Sequence, residues 1–253
     1  MLLLLTVGTG TAGRTSNLVA GLRRAIELSN PERFWLVPST DEVSQLTADE
    51  VCAGQARFAP WSAEVPYCPI EQPDDREACR AQLRASLHEL SRQLRPGQRL
   101  VLNPTSGTKQ MTAAAVLAAL DEGLGDITFI AGERADGVVI TGTERLTSFD
   151  PSGYFRERDF ATARDLFAVG AFAPAARLLQ PHADHLPRAQ ALCLTLRHWR
   201  RFAYTEAVAA ANGHWEDLRR ALATRAQHAA AGTPSLLLLG DVLAWAEHAR
   251  RLG

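Results

Sequence analysis

Five apolar residues, MLLLL, run without a break into the glycine-rich stretch TVGTGTAGRTS, and helical spacing follows at once in TSNLVAGLRRAIELS. An unbroken apolar run ending at glycine describes a strand buried on both faces, as in the middle of a parallel sheet. Strand, glycine turn and helix in succession open a βαβ unit and commit the N-terminal part to an α/β fold. The run lacks the positive start of a signal peptide, and no later stretch approaches the ~20 apolar residues that span a bilayer. The expectation is a soluble, cytoplasmic protein that uses no membrane.

The same alternation continues to about residue 150. RFWLVPS reads as the second strand, and DDREACRAQLRASLHELSRQLRPG as an amphipathic helix with acids in its first turn and Pro96-Gly97 at its end. Strand RLVLN, loop PTSGTK, helix QMTAAAVLAALDEG, strand DITFIAG and a hairpin around ADGVVITG follow. ARFAPWSAEVPYCPIE, with its prolines, reads as an edge strand or an irregular connection. Beyond FDPSGYF the β signal stops, and Ala-Leu-Arg-rich helices reach the C-terminus. The expected fold is therefore a Rossmann-like parallel sheet over residues 1–150, followed by a smaller all-α helical domain over residues 151–253. ARDLFAVGAFAPAARLL resembles one tetratricopeptide-like hairpin, with no second copy at a fixed period. The last helix carries Leu238, Val242, Trp245, Ala249 and Leu252 along one seam.

Two phosphate motifs overlap in the first loop, and each lacks its decisive residue. Gly8, Gly10 and Gly13 spell a dinucleotide turn, but the second strand ends LVPS, with Asp41 and Glu42 only beyond it. Gly8, Gly13, Arg14 and Thr15 approach a Walker loop, with Arg in place of Lys and no strand-borne acid for Mg²⁺. A second loop of the same construction, NPTSGTKQM from Asn103 to Met111, follows a later strand. In a parallel sheet both loops emerge at the carboxyl ends of the strands, where ligands bind. Thr9, Thr11, Thr105, Ser106 and Thr108 offer hydroxyls there. Gly10 and Gly107 admit close backbone approach, Lys109 brings a positive charge, and two helix N-termini favour an anion. The plain alternative is two strand-to-helix turns capped by Thr and Ser.

The net charge of −1 excludes broad binding to duplex nucleic acid, which needs a large positive surplus. Cys52, Cys68, Cys79 and Cys193 show no C-x-x-C spacing and read as reduced thiols, neither disulfide frame nor zinc site.

VGTGT after the first strand, together with NPTSGTKQM opening a later helix, resembles the CARF domain, the CRISPR-associated Rossmann fold. The helical half resembles the region that follows CARF in one group of these proteins. The resemblance implies a homodimer through the CARF domain that binds a cyclic oligoadenylate, the second messenger of type III CRISPR antiviral signalling, with cyclic tetraadenylate the expected ring. It implies that Thr9, Gly10 and Thr11 line the ring from one loop and Thr105, Ser106, Gly107, Thr108 and Lys109 from the other. Glu133 and Arg134 are candidates for reading adenine. No cofactor and no metal are expected.

The sequence departs from that family in Pro104, in Ser106 where many members have Gly, and in lacking a convincing HEPN ribonuclease motif. Arg177 and His182 have the spacing, but Pro181 between them breaks a shared helix face. His182, Asp184 and His185 read as a solvated loop. Three further functions remain open. As in some CARF proteins, the resemblance implies that the loops can act as a metal-independent ring nuclease, with Thr9 or Thr11 orienting the attacking 2′-hydroxyl and Lys109 steadying the developing charge. A Rossmann-like enzyme using NAD or another nucleotide, and a helical interaction scaffold, are the alternatives.

Overall fold

The computed structural model describes residues 1–9, 15–53, 69–135, 138–140, 142–232 and 236–252. The chain divides into two compact units, Met1–Pro151 and Ser152–Gly253. In the first, β1 (Leu2–Val7) leads to α1 (Thr15–Ser29), β2 (Arg33–Pro38), α2 (Glu42–Ala53) and α3 (Arg76–Arg92). Then come β3 (Leu100–Asn103), α4 (Lys109–Asp121), β4 (Ile127–Ala131), the small hairpin β5 (Arg134–Ala135) and β6 (Val138–Val139), and β7 (Arg145–Phe149). The sheet order is β2-β1-β3-β4-β7. Its first four strands are parallel, with Leu5 opposite Leu36 on one side and Asn103 on the other.

Every residue of β1 is buried, which is why its sequence is a continuous apolar run. Leu3, Leu5 and Val7 pack with Val19, Leu22 and Ile26 of α1 and with Ala48 and Val51 of α2. Leu2 and Leu4 alternate to the opposite face and are buried as well. Of the proline-rich connection, residues 54–68, Cys68 among them, lie outside the described part; beyond them Ile70 makes a parallel bridge to Ser39. Free Cys52, Cys79 and Cys193 are half-buried or buried, and burial pushes all three thiols up.

One strand went unread in the sequence. β7 pairs antiparallel with β4 at the sheet edge, with most of its residues exposed. RLTSF therefore has no buried face to print an apolar pattern. The sheet is parallel with one antiparallel edge strand, a common mixed arrangement.

The second unit is helical: α5 (Ser152–Ala168), α6 (Phe172–Leu179), a 3-10 turn at Gln180–His182, α7 (Pro187–Arg200), α8 (Tyr204–Ala211), α9 (Glu216–Ala230) and α10 (Leu236–Leu252). A second copy of the first hairpin is present, contrary to the sequence reading. Between α5 and α6, Gly170 (φ 72°) donates to Phe167 O and Ala171 to Leu166 O, at 2.9 and 2.8 Å. Between α7 and α8, Phe202 (φ 58°) donates to Trp199 O and Ala203 to His198 O, at 2.8 and 3.0 Å. Phe167, Gly170, Ala171 and Phe172 thus correspond to Trp199, Phe202, Ala203 and Tyr204 at a constant offset. A phenylalanine in the left-handed position hides the glycine signature.

The C-terminal seam is also built differently from the expectation. Leu238 packs beside Trp199 and Tyr204, and the Trp245 ring meets Phe172 and Trp199 at 5.9 Å each. Val242, however, is 47% exposed, and the inward position is taken by Asp241, 5% exposed. The side chains of Ala249 and Leu252 lie outside those described. Asp241 accepts from Trp199 Nε1 (2.9 Å), Tyr204 OH (3.1 Å) and Arg225 Nε (2.8 Å). One buried carboxylate joins α10 to α7, α8 and α9, and every partner donates to it.

Candidate functional site: the paired loops after β1 and β3

The two polar loops meet backbone to backbone. A Cβ on Gly8 would sit 2.7 Å from Gly107 Cα and 2.8 Å from Gly107 N, so only glycine fits at Gly8. Gly8 N donates to Ser106 Oγ at 3.0 Å, and the Thr6 hydroxyl donates to the Ser106 carbonyl. Ser44 at the start of α2 braces the same corner, donating to Val7 O at 2.8 Å and accepting from Ser39 N at 2.9 Å.

The hydroxyls of the second loop are used inside the protein. Thr105 Oγ1 donates to Asn103 Oδ1 at 2.6 Å and accepts from Ile130 N of β4 at 2.8 Å. Ser106 is 7% exposed and serves the contacts to β1. Thr108 caps α4, accepting from Met111 N at 3.1 Å and donating to Pro73 O at 2.6 Å. These are the capping and tethering roles of the plain alternative, and they hold the loop rigid.

What the loop leaves unused is backbone. The N–H groups of Ser106, Gly107, Thr108, Lys109 and Gln110 donate to no described group. Lys109 is exposed at the first position of α4 and makes no ion pair with a described residue. A cation there opposes the helix dipole at a cost of about 0.3–1 kcal/mol. Neither α1 nor α4 carries an acid in its first turn, whereas α2 and α3 each do. Among the described residues, the carboxyl ends of β1 and β3 thus carry amides without acceptors and a lysine, with no acid in the first turn of either following helix, a combination that suits an anion.

Of the other sequence-expected residues, Thr9 is half-buried beside Gly8. Gly10, Thr11, Gly13 and Arg14 lie outside the described residues. Glu133 follows β4, exposed, with its N–H donating to Thr143 Oγ1 at 3.0 Å; the Arg134 side chain lies outside those described. Asp41 accepts from Val43 N at 2.9 Å and so caps α2.

His182 is not in a solvated loop. It is half-buried on the 3-10 turn and contacts Asp159 Oδ2 of α5 at 3.0 Å. Asp184 and His185 are exposed, and among the described residues no three His, Cys, Asp or Glu side chains converge as metal ligands. Also among them, no helix is long and apolar enough to cross a membrane.

Thr6 and Ser44 are the site residues that sequence reasoning missed. Thr6 was the only polar residue in the first apolar run, which was signal enough to ask what its hydroxyl holds.

No protein-family model matches the chain, and no curated protein sequence does. Among solved structures, Csm6 of Enterococcus italicus bound to cyclic hexa-2′-fluoro-hexa-dAMP is similar over 88% of this chain, with a TM-score of 0.58 at 13% identity. The chain has the fold of that Csm6. It spans 61% of the length of the Csm6 chain. At 88% of this chain the likeness takes in the sheet and extends into the helical unit, and it shows a shared fold.

Proposed function

We propose that this chain is a sensor that binds a cyclic oligoadenylate at the carboxyl edge of β1 and β3, as a homodimer through its first unit. The observation that carries the reading is the Gly8–Gly107 contact, which sets the end of β1 against a row of five amides, Ser106 to Gln110, that donate to no described group, with the Lys109 side chain among them. Amide rows at a helix start suit phosphate oxygens, and a lysine adds charge without geometric demand. A ring with one phosphate per nucleotide repeats about its axis. Two copies of a small amide-and-lysine site match it without a basic surface. The Csm6 likeness supports this reading, since that protein is bound to a cyclic six-membered adenylate analogue. In this reading the ring is contacted by Thr9, Gly10 and Thr11 of the first loop and by Gly107, Thr108 and Lys109 of the second.

Cleavage of the bound ring is the finer part of the reading. The ring's own 2′-oxygen attacks the adjacent phosphorus in line, its proton passes to solvent, and the departing 5′-oxygen takes up a proton. The product is a linear chain with a 2′,3′-cyclic phosphate. Lys109 and the amides stabilise the charge that grows on the phosphoryl oxygens, while Thr9 or Thr11 orients the nucleophile. With no strong base beside the loops among the described residues, turnover is slow.

Isothermal titration with cyclic tri-, tetra- and hexaadenylate, beside ATP and NAD, tests the binding. One ring size binds, and Lys109→Ala weakens it by about tenfold, the value of a charge-assisted contact. Stabilisation by ATP or NAD with no response to any ring overturns the proposal. Chromatography after incubation reads cleavage, with a 2′-fluoro ring as the uncleavable control.

A further inference from the structure

Thr6 is fully buried in a strand otherwise made of leucine and valine. A valine of the same shape would complete the apolar pattern and would bring no hydroxyl to satisfy. The hydroxyl present donates to the Ser106 carbonyl oxygen. In a planar trans peptide the carbonyl and the following N–H point in opposite directions. Turning the Ser106 carbonyl toward β1 therefore turns the Gly107 N–H away from β1, within the row of amides that donate to no described group. Gly107 has φ +129°, a backbone region that glycine alone enters freely. Such a residue lets the Ser106–Gly107 peptide rotate at small cost, bringing a carbonyl where the N–H stands. A carbonyl there repels the anion that an amide attracts. The Ser106 Oγ contact to Gly8 N holds the side chain of Ser106 and leaves its peptide plane unpinned.

We propose that Thr6 is a positioning residue for the anion-binding loop, its hydroxyl locking the Ser106–Gly107 peptide so that the Gly107 amide stays available to a phosphate. The inference rests on the cyclic-oligoadenylate reading only in the identity of the full ligand; the peptide lock itself concerns any phosphate.

Two measurements on the full chain test it, using Thr6→Val, which removes the hydroxyl at nearly constant shape, and Thr6→Ser, which keeps it. In ¹⁵N-labelled protein titrated with inorganic pyrophosphate, the Gly107 amide resonance moves in the wild type and in Thr6→Ser and stays still in Thr6→Val. By calorimetry well below the melting temperature, Thr6→Val binds the cyclic adenylate about tenfold more weakly, the loss of one hydrogen bond to a charged group. Thr6→Ser stays within about twofold of the wild type.

A merely structural Thr6 gives a different pattern: Thr6→Val melts earlier, with ring affinity and Gly107 response unchanged, and that pattern overturns the proposal. So does a wild-type Gly107 amide that ignores pyrophosphate. If no ring binds any of the proteins while the pyrophosphate response follows the hydroxyl, the peptide lock stands and the ring reading falls.

Discussion

Gly8→Ala is the sharpest test of how the two loops meet. The added Cβ would lie 2.7 Å from Gly107 Cα, with two more Gly107 backbone atoms at 2.8 and 3.2 Å. Ordinary carbon contacts fall at about 3.5–4.0 Å, so the loops must part by roughly 1 Å. No flexible side chain can yield, because every clashing atom is backbone. The movement also stretches the bond from Gly8 N to Ser106 Oγ, 3.0 Å in the native state, beyond hydrogen-bonding range. Overpacking at about 1–3 kcal/mol and a lost buried hydrogen bond at about 1 kcal/mol give a combined cost of roughly 3 kcal/mol. For a unit of this size that lowers the melting temperature by roughly 10 °C.

Gly21→Ala provides the matched control. It lies in α1, and its added Cβ meets nothing within 4 Å. The same substitution there stabilises by about 0.5–1 kcal/mol, through helix propensity alone. Calorimetric melts of the two variants should move in opposite directions from the wild type. A Gly8→Ala protein melting within about 2 °C of the wild type, on a scale where 1 kcal/mol moves the midpoint by several degrees, refutes the backbone contact.

Three further outcomes follow from the helical unit. Asp241→Ala leaves Arg225, Trp199 and Tyr204 without their common acceptor and costs about 3–5 kcal/mol by chemical denaturation; a loss under about 1 kcal/mol would sink the hub. Phe202→Gly relieves the left-handed backbone and stabilises by about 1 kcal/mol, read as a higher melting midpoint; a lower one shows that the Phe202–Tyr204 ring contact outweighs the strain. Tyr204 contributes a pH dependence at the alkaline end: burial and the Asp241 carboxylate push its phenol up to about 12 from 10.0. Its contribution is fully present below pH 10 and is lost as pH rises toward 12, because the unfolded chain releases the proton first. Unfolding measured between those values should steepen with pH, and Tyr204→Phe should flatten it.

The sequence was legible where burial imposes a pattern on an element. β1 prints an unbroken apolar run because both faces of a central strand are covered, and α3 prints an amphipathic stripe because only one of its faces is. β7 has little buried surface and leaves no such mark. In the loops, composition gives the hydroxyls but not their directions. Thr105, Ser106 and Thr108 read as ligand-facing hydroxyls, and in the structure each has a hydrogen-bond partner inside the protein. A hydroxyl serves either role with the same letter, and only the direction of the side chain separates them. Amide availability is never written in the sequence at all. The hidden second hairpin has a similar cause, since Phe202 occupies a backbone position that pattern reading assigns to glycine.

Asp241 also governs the order in which the second unit can be completed. Trp199, Tyr204 and Arg225 all precede it in the chain, and their polar groups converge on a carboxylate that leaves the ribosome after them. Until α10 is made, three helices hold donors with no partner, and a buried guanidinium without its counter-charge resists desolvation. The earlier helices therefore stay loosely associated during synthesis and consolidate late, in one step, when the last helix closes over them. Truncation before residue 241 should consequently yield a chain that is helical by circular dichroism yet open to protease along α7 to α9.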